Sequence, residues 1–103
     1  MSTTDAGMLL NERDTDEGVL VSVCDPDLLG ETFEDGPVSL YVDPEFYDGE
    51  AATEEEVVES LAGCAVANIV GTDAVGVAVE HGFVEEENVL DLDGTRHAQL
   101  LWM

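Results

Sequence analysis

The clearest alternation of apolar and polar positions lies in "PVSLYVD" (37–43), where Val38, Leu40 and Val42 share one face and Ser39 and Tyr41 the other. A period of two predicts a half-buried strand. "VLVSVC" (19–24) is instead a continuous apolar, β-branched run, the pattern of a buried strand. "MLL" (8–10) begins a strand before it, and the polar "NERDTDEG" (11–18), ending in glycine, reads as a hairpin loop between them. "DPDLLG" (25–30) predicts one helical turn, with Asp25 as N-cap, Pro26 as first helical residue and Gly30 as stop. "PEFYDGE" (44–50) reads as a turn carrying two aromatics.

The period changes in "TEEEVVESLAGCAVANIVG" (53–71). Thr53 and Glu56 form a capping box, and the three glutamates occupy the first turn, where the helix dipole favours them. At 100° per residue Val57, Leu61, Cys64, Ala65 and Asn68 share a face, which predicts a helix ended by Gly71. A second helix follows over 72–82, with Thr72 or Asp73 as cap, Gly82 as stop and His81 in the last turn. "NVLDLDGTRHAQLLW" (88–102) is two strands around Asp93-Gly94, a strong hairpin signal. The expected fold is α+β: a mostly antiparallel sheet with two or three helices packed on one face and a C-terminal β-hairpin. The 103 residues fit a single domain, 1–103, with 1–7 as a loose start.

Charge changes the picture most. The chain holds 25 acids against two arginines, Arg13 and Arg96, and no lysine, for a net charge of −23. The acids are spread along the chain. Yet 45% of the residues are hydrophobic, a globular rather than a disordered level. Repulsion among these carboxylates is largely screened in molar salt, so the composition predicts a protein of an extreme halophile. The acidity is then solvent adaptation. It leaves RNA open as a partner while denying it a basic groove; DNA is not expected. No apolar segment approaches membrane-spanning length and no signal peptide precedes the domain, so the expected location is the cytoplasm. Cys24 and Cys64 are then reduced thiols.

Candidate chemistry is sparse. Cys24 closes the apolar strand, either as a buried small hydrophobe or as a thiol whose pKa a helix N-terminus lowers, an effect that neighbouring Asp25 opposes. Asn68 on an apolar helical face is either a structural amide or a group facing a ligand. His97 and Gln99 share one face of a strand. Phe46-Tyr47 either folds back onto the core or offers a stacking platform. Cys24, Cys64, His81 and His97 include no pair at metal-ligand spacing, so no metal and no cofactor is expected. There is no Walker loop, no G-x-G-x-x-G, no G-x-S-x-G and no H-E-x-x-H.

"CDPDLLGETFEDG", "FYDGE", "AVANIVGTDAV" and "RHAQ", in this order and spacing, resemble the archaeal family known as domain of unknown function 424, from about residue 8 onward. The resemblance carries over to Cys24, Asp25, Leu28, Leu29, Gly30, Phe46, Tyr47, Asn68, Gly71, His97 and Gln99. It supplies no reaction, cofactor or ligand, and associates the chain only loosely with translation or RNA processing.

Two functions follow as expectations. The first is a small non-enzymatic binding module touching RNA or a translation or RNP component. Its candidate ligand-binding residues are Cys24, Asp25, Phe46, Tyr47, Asn68, His97 and Gln99. The second is a thiol-dependent enzyme with Cys24 as nucleophile and His97 as base, which requires contact in space rather than in sequence. Of the two, the first is preferred.

Overall fold

The computed structural model describes residues 7–101. Residues 1–6 of the expected loose start, and Trp102 at the end of the expected hairpin, lie outside the described residues. A six-stranded sheet has the order β5-β1-β2-β6-β8-β7, with β1 Met8–Thr15, β2 Gly18–Cys24, β5 Glu50–Ala52, β6 Val66–Val70, β7 Leu90–Leu92 and β8 Thr95–Leu101. Only the β2–β6 pair is parallel. A separate hairpin joins β3 (Thr32–Asp35) to β4 (Val38–Tyr41). The helices are α1 (Pro44–Tyr47), α2 (Glu54–Gly63) and α3 (Thr72–Glu80). This is the expected α+β fold, with a mostly antiparallel sheet and a C-terminal hairpin. Among the described residues no helix is long and apolar enough to cross a membrane.

Strand alternation builds two cores. Val21, Val23, Ala67, Ile69, Ala98 and Leu100 point to one face, where they pack with Val57 and Leu61 of α2 and Ala74, Val75 and Ala78 of α3. Cys24 and Val70 point the other way, into a smaller cluster with Val42, Tyr47, Phe33 and Leu40. The short α1 and the β3–β4 hairpin therefore cover one end of the second face. The first face is the helix side of the sheet, the second its hairpin side.

Three readings of the sequence are corrected. The helix expected over 53–71 is α2 followed by the strand β6. Thr53 caps it as expected, with both capping-box bonds present. The helix stops at Gly63, and the next residues change period: Ala67 and Ile69 go to the helix side, Val66, Asn68 and Val70 to the hairpin side. The β-branched run 69–70 belongs beside β2, where a fully buried strand is needed. The loop expected over 11–18 shrinks to a turn at Asp16-Glu17, because β1 runs on to Thr15 as a solvent-facing ladder opposite β2. The Thr15 hydroxyl donates to the Gly18 carbonyl at 2.7 Å and accepts from the Glu17 amide at 3.2 Å. Third, Phe46-Tyr47 belongs to a helical turn capped by Asp43, not to an open turn.

Candidate functional site

Asp25 directly follows β2 and precedes the 3-10 turn Pro26–Leu28, but its side chain does not cap that turn. Its carboxylate instead accepts from the backbone amides of Asp73 (3.1 Å) and Ala74 (3.0 Å), at the N-terminus of α3. The residue that formally precedes α3 is Gly71, which has no side chain to offer. Asp25 thus supplies a cap across the sheet, against the positive end of the α3 dipole. Burial pushes its carboxyl above the ordinary range, and the two amide bonds pull it back only in part. The expectation that Asp25 caps the turn it starts is corrected: its partners are 48 and 49 residues away.

Cys24 is sealed, with no exposed surface. Its Sγ lies 3.9 Å from the Tyr47 carbonyl oxygen, and burial, then the Asp25 charge, pushes the thiol up to about 12. Tyr47 is buried beside it, and burial pushes its phenol up to about 12 as well. Phe46 packs edge-on against Tyr47, ring centroids 5.1 Å apart, and receives the Arg13 guanidinium over its face at 5.3 Å. His97 is two strands from Cys24, with Val70 registered between them, so the Cα atoms stand about 10 Å apart. That is beyond a thiol–imidazole hydrogen bond. Burial also pushes the His97 imidazole down, toward its neutral form.

The thiols are expected to be inert in the folded protein. In molar KCl at pH 8 a disulfide reagent should modify neither Cys24 nor Cys64 within minutes, and should modify both after denaturation. A thiol with a raised folded pKa contributes stability fully below its ordinary value of 9.0, and loses it as pH rises toward about 12. Prompt native-state labelling of Cys24 would contradict its placement.

Strand register sets the remaining candidates in rows on the hairpin side. Cys24, Val70 and His97 form a row that Val42, Tyr47 and the β3–β4 hairpin cover in part. The next row is polar: Asn11, Ser22, Asn68 and Gln99, on four adjacent strands. Gln99 Nε2 donates to Asn68 Oδ1 at 2.9 Å, and Asn11 Nδ2 donates to the Asp48 carbonyl at 2.8 Å. The row after that is Arg13, Leu20, Val66 and Leu101. Neither core cluster takes in Leu20 or Val66, and Leu101 is 61% exposed. Asn68 and Gln99 are thus brought together, with His97 diagonally adjacent. Cys24, Asp25 and Tyr47 are drawn into packing and capping.

The strands β1, β2, β6 and β8 turn no carboxylate to this open region, and the exposed Glu45 and Asp48 stand at its β1 edge, where Arg13 and Asn11 bond their carbonyls. On β1 the acids Glu12 and Asp14 alternate away from it, leaving Asn11, Arg13 and Thr15. The acid-free runs 18–24, 60–72 and 94–103 contain all of β2, β6 and β8. Those runs were visible in the sequence. What they meant was not, because it needs the three strands to be neighbours.

Elsewhere the acids dominate. His81 at the end of α3 lies 2.8 Å from Glu54 at the start of α2, with Glu80 close enough that three ligand-type atoms fall within 4.8 Å. All three residues are exposed, and the pairing complements both helix dipoles. A shallow depression between the start of α2 and the length of α3 is lined by Glu54, Asp73, Glu80 and Glu86 with Arg96. That arginine is bonded to Glu86 and Asp91.

A family model described as "Protein of unknown function (DUF424)" matches residues 12–103. No curated protein matches. Among solved structures, the chain is similar to an uncharacterized conserved protein from Methanopyrus kandleri, with 25% identity, a TM-score of 0.75, and coverage of 93% of this chain and 94% of that one.

Proposed function

The chain belongs to the DUF424 family, and from that premise we propose that it is a small non-catalytic binding module of the cytoplasm of a halophilic archaeon. It meets a protein partner through the open part of the hairpin side. The observation that carries this reading is the missing charge. A chain of net charge −23 leaves one solvent-facing region of its sheet without a carboxylate. Surface that only meets salt water gains from acids in such a protein; surface that meets another molecule does not. The amides of Asn68 and Gln99 offer hydrogen bonds, and Leu20, Val66 and Leu101 offer apolar contact.

A protein component, such as one of a translation complex or RNP, suits this face better than RNA. Phosphate contacts need cations, and the face has only Arg13, already engaged with Phe46 and the Glu45 carbonyl. The thiol-enzyme alternative is disfavoured by the sealed Cys24 and its separation from His97.

Photo-crosslinking tests the reading. A benzophenone amino acid at Gln99 should give discrete protein adducts in the producing cells, insensitive to ribonuclease. The same group at Glu59, exposed on α2, should give none. Equal adducts from both positions would refute the docking face, and ribonuclease-sensitive ones from Gln99 would make the partner RNA.

A further inference from the structure

We infer that the partner adds an extended segment of its own chain to the free edge of β8, as one more strand of the sheet. The inference rests on the docking reading above and adds what the partner presents and how it is held. Strand register defines the edge. The Arg96 carbonyl accepts from the Gly71 amide at 2.8 Å, so Arg96, Ala98 and Leu100 turn their backbone groups toward β6. His97, Gln99 and Leu101 turn theirs the other way. β7 begins at Leu90, which meets His97. If β7 started earlier, Asn88 would stand opposite Gln99. Residues 86–88 instead form a 3-10 turn, and the Asn88 amide donates to the Glu85 carbonyl at 2.9 Å. Phe83, Val84 and Val89 anchor this segment in the helix-side core, and Glu86 bonds Arg96. The chain thus leaves the edge toward the helix side. Among the described residues no strand pairs with β8 beyond His97 on that edge. Gln99 and Leu101 each present a backbone donor and an acceptor there.

No charge guards this edge. Exposed edges are ordinarily blunted by charged side chains, because bare ones recruit strands. The rest of the six-stranded sheet follows that rule. Glu50 lies on β5, Glu12 and Asp14 on the part of β1 that β5 leaves unpaired, and Asp91 on β7. On β8, residues 98–101 carry no ionisable group, and Gln99 and Leu101 are exposed. In a chain of net charge −23 an edge without charge is the exception.

Spacing and charge define the occupant. An extended polypeptide repeats its donors and acceptors in step with Gln99 and Leu101; a nucleic acid does not. Its side chains alternate between the two faces of the sheet. Those opposite Gln99 and Leu101 lie on the hairpin side and fit one polar and one apolar residue. Those on the helix side point to the flank of the exposed Glu85, Glu86 and Glu87, and fit lysine or arginine. A second copy of this chain would bring its own glutamate turn to that flank, so the segment belongs to a different protein. Bonds between neutral backbone groups are screened little by salt, so the pairing holds in molar KCl, where ion pairs alone fade.

Proline tests the edge, because it removes one N–H and a strand tolerates it where that N–H is free. In about 3 M KCl, Leu101→Pro should melt within about 5 °C of the parent chain. Ala98→Pro, which breaks the ladder to β6, should melt about 12 °C lower or more. In producing cells Leu101→Pro should cut the protein adducts of a benzophenone at Gln99 at least about tenfold. Gln99→Pro should do the same to a benzophenone at Leu101, which covers a Leu101 variant that fails to fold. Adducts undiminished in either variant, with its fold checked by circular dichroism, overturn strand addition and leave the docking face standing. So does a fall in melting temperature for both variants as large as that of Ala98→Pro, which would place a partner for those amides within the chain itself. If Gln99 captures no protein, both readings fall.

Discussion

Below about 0.2 M salt at neutral pH the protein should lose its fold or become molten, whereas in about 3 M KCl it should melt cooperatively. The physical cause is the distribution of carboxylates around a small core. Glu54, Glu55, Glu56 and Glu59 crowd α2, and Glu85, Glu86 and Glu87 crowd the turn before β7; all seven are exposed. The two arginines cannot neutralise them: Arg96 is bonded to Glu86 and Asp91, and Arg13 lies over Phe46. At 0.1 M salt the Debye length is about 10 Å, comparable with the spacing of these groups, and at 1 M it is about 3 Å. Domains of this size are stable by about 5–15 kcal/mol, a margin that unscreened repulsion among so many like charges can exhaust. Circular dichroism melts against KCl concentration measure it, and a melting temperature independent of salt would sink the idea.

The same repulsion predicts the effect of acid at low salt. Protonating exposed carboxylates between pH 7 and about 4.5 should partly restore the fold. Asp25 does not oppose this. Its folded pKa is raised above 3.8, so its contribution is complete below that value and is lost as pH rises through the folded pKa. His97 does oppose it. Its folded pKa is lowered from 6.5, so its contribution is present above 6.5 and lost as pH falls through the folded pKa. One histidine against many carboxylates leaves net recovery as the expected result.

Features whose partners are close in sequence were legible without coordinates. The Thr53–Glu56 box starts α2 where its spacing indicates. Asp93-Gly94 closes the last hairpin with φ of 41° and 94°, the left-handed pair that a two-residue turn needs. Features decided by distant partners were not. Residues 65–70 share a helical stripe as well as an alternating one, and only the vacancy between β2 and β8 selects the strand. The edge strands β3 and β5 are four and three residues long, too short to show a period. Asn68 illustrates the consequence for the site. Its sequence marks it as a polar group amid apolar ones, but the helical face it suggests is absent: on a strand Asn68 faces the open side and bonds Gln99. The proposed docking face is spread over four strands that only the sheet brings together.

Gly71→Ala should be among the most damaging single substitutions, costing about 3 kcal/mol or more. Gly71 joins β6 to α3 at φ 117°, a conformation that side chains rarely tolerate. A Cβ there would lie 2.4 Å from Asp25 Cγ, and 2.6 and 2.8 Å from its two oxygens. The carboxylate would have to move, and it is held by the amides of Asp73 and Ala74. The backbone cannot yield easily either, because the Gly71 amide donates to the Arg96 carbonyl and the Gly71 carbonyl accepts from Val75, both within 2.9 Å. Backbone strain and a displaced cap thus act together. Asp25→Ala alone leaves two amides of α3 without their acceptor and should cost about 1–3 kcal/mol. Combining the two separates the causes. Without the carboxylate the new methyl has room, so Gly71→Ala should cost less in the Asp25→Ala background, by at least about 1 kcal/mol. For a domain near 100 residues, 3 kcal/mol corresponds to a fall of roughly 12–24 °C in melting temperature, measured in molar KCl. A fall under about 3 °C for Gly71→Ala, or strict additivity in the double variant, would show that the glycine and the aspartate do not share this space. Asp25 would then lose its place as the residue that ties the end of β2 to the start of α3.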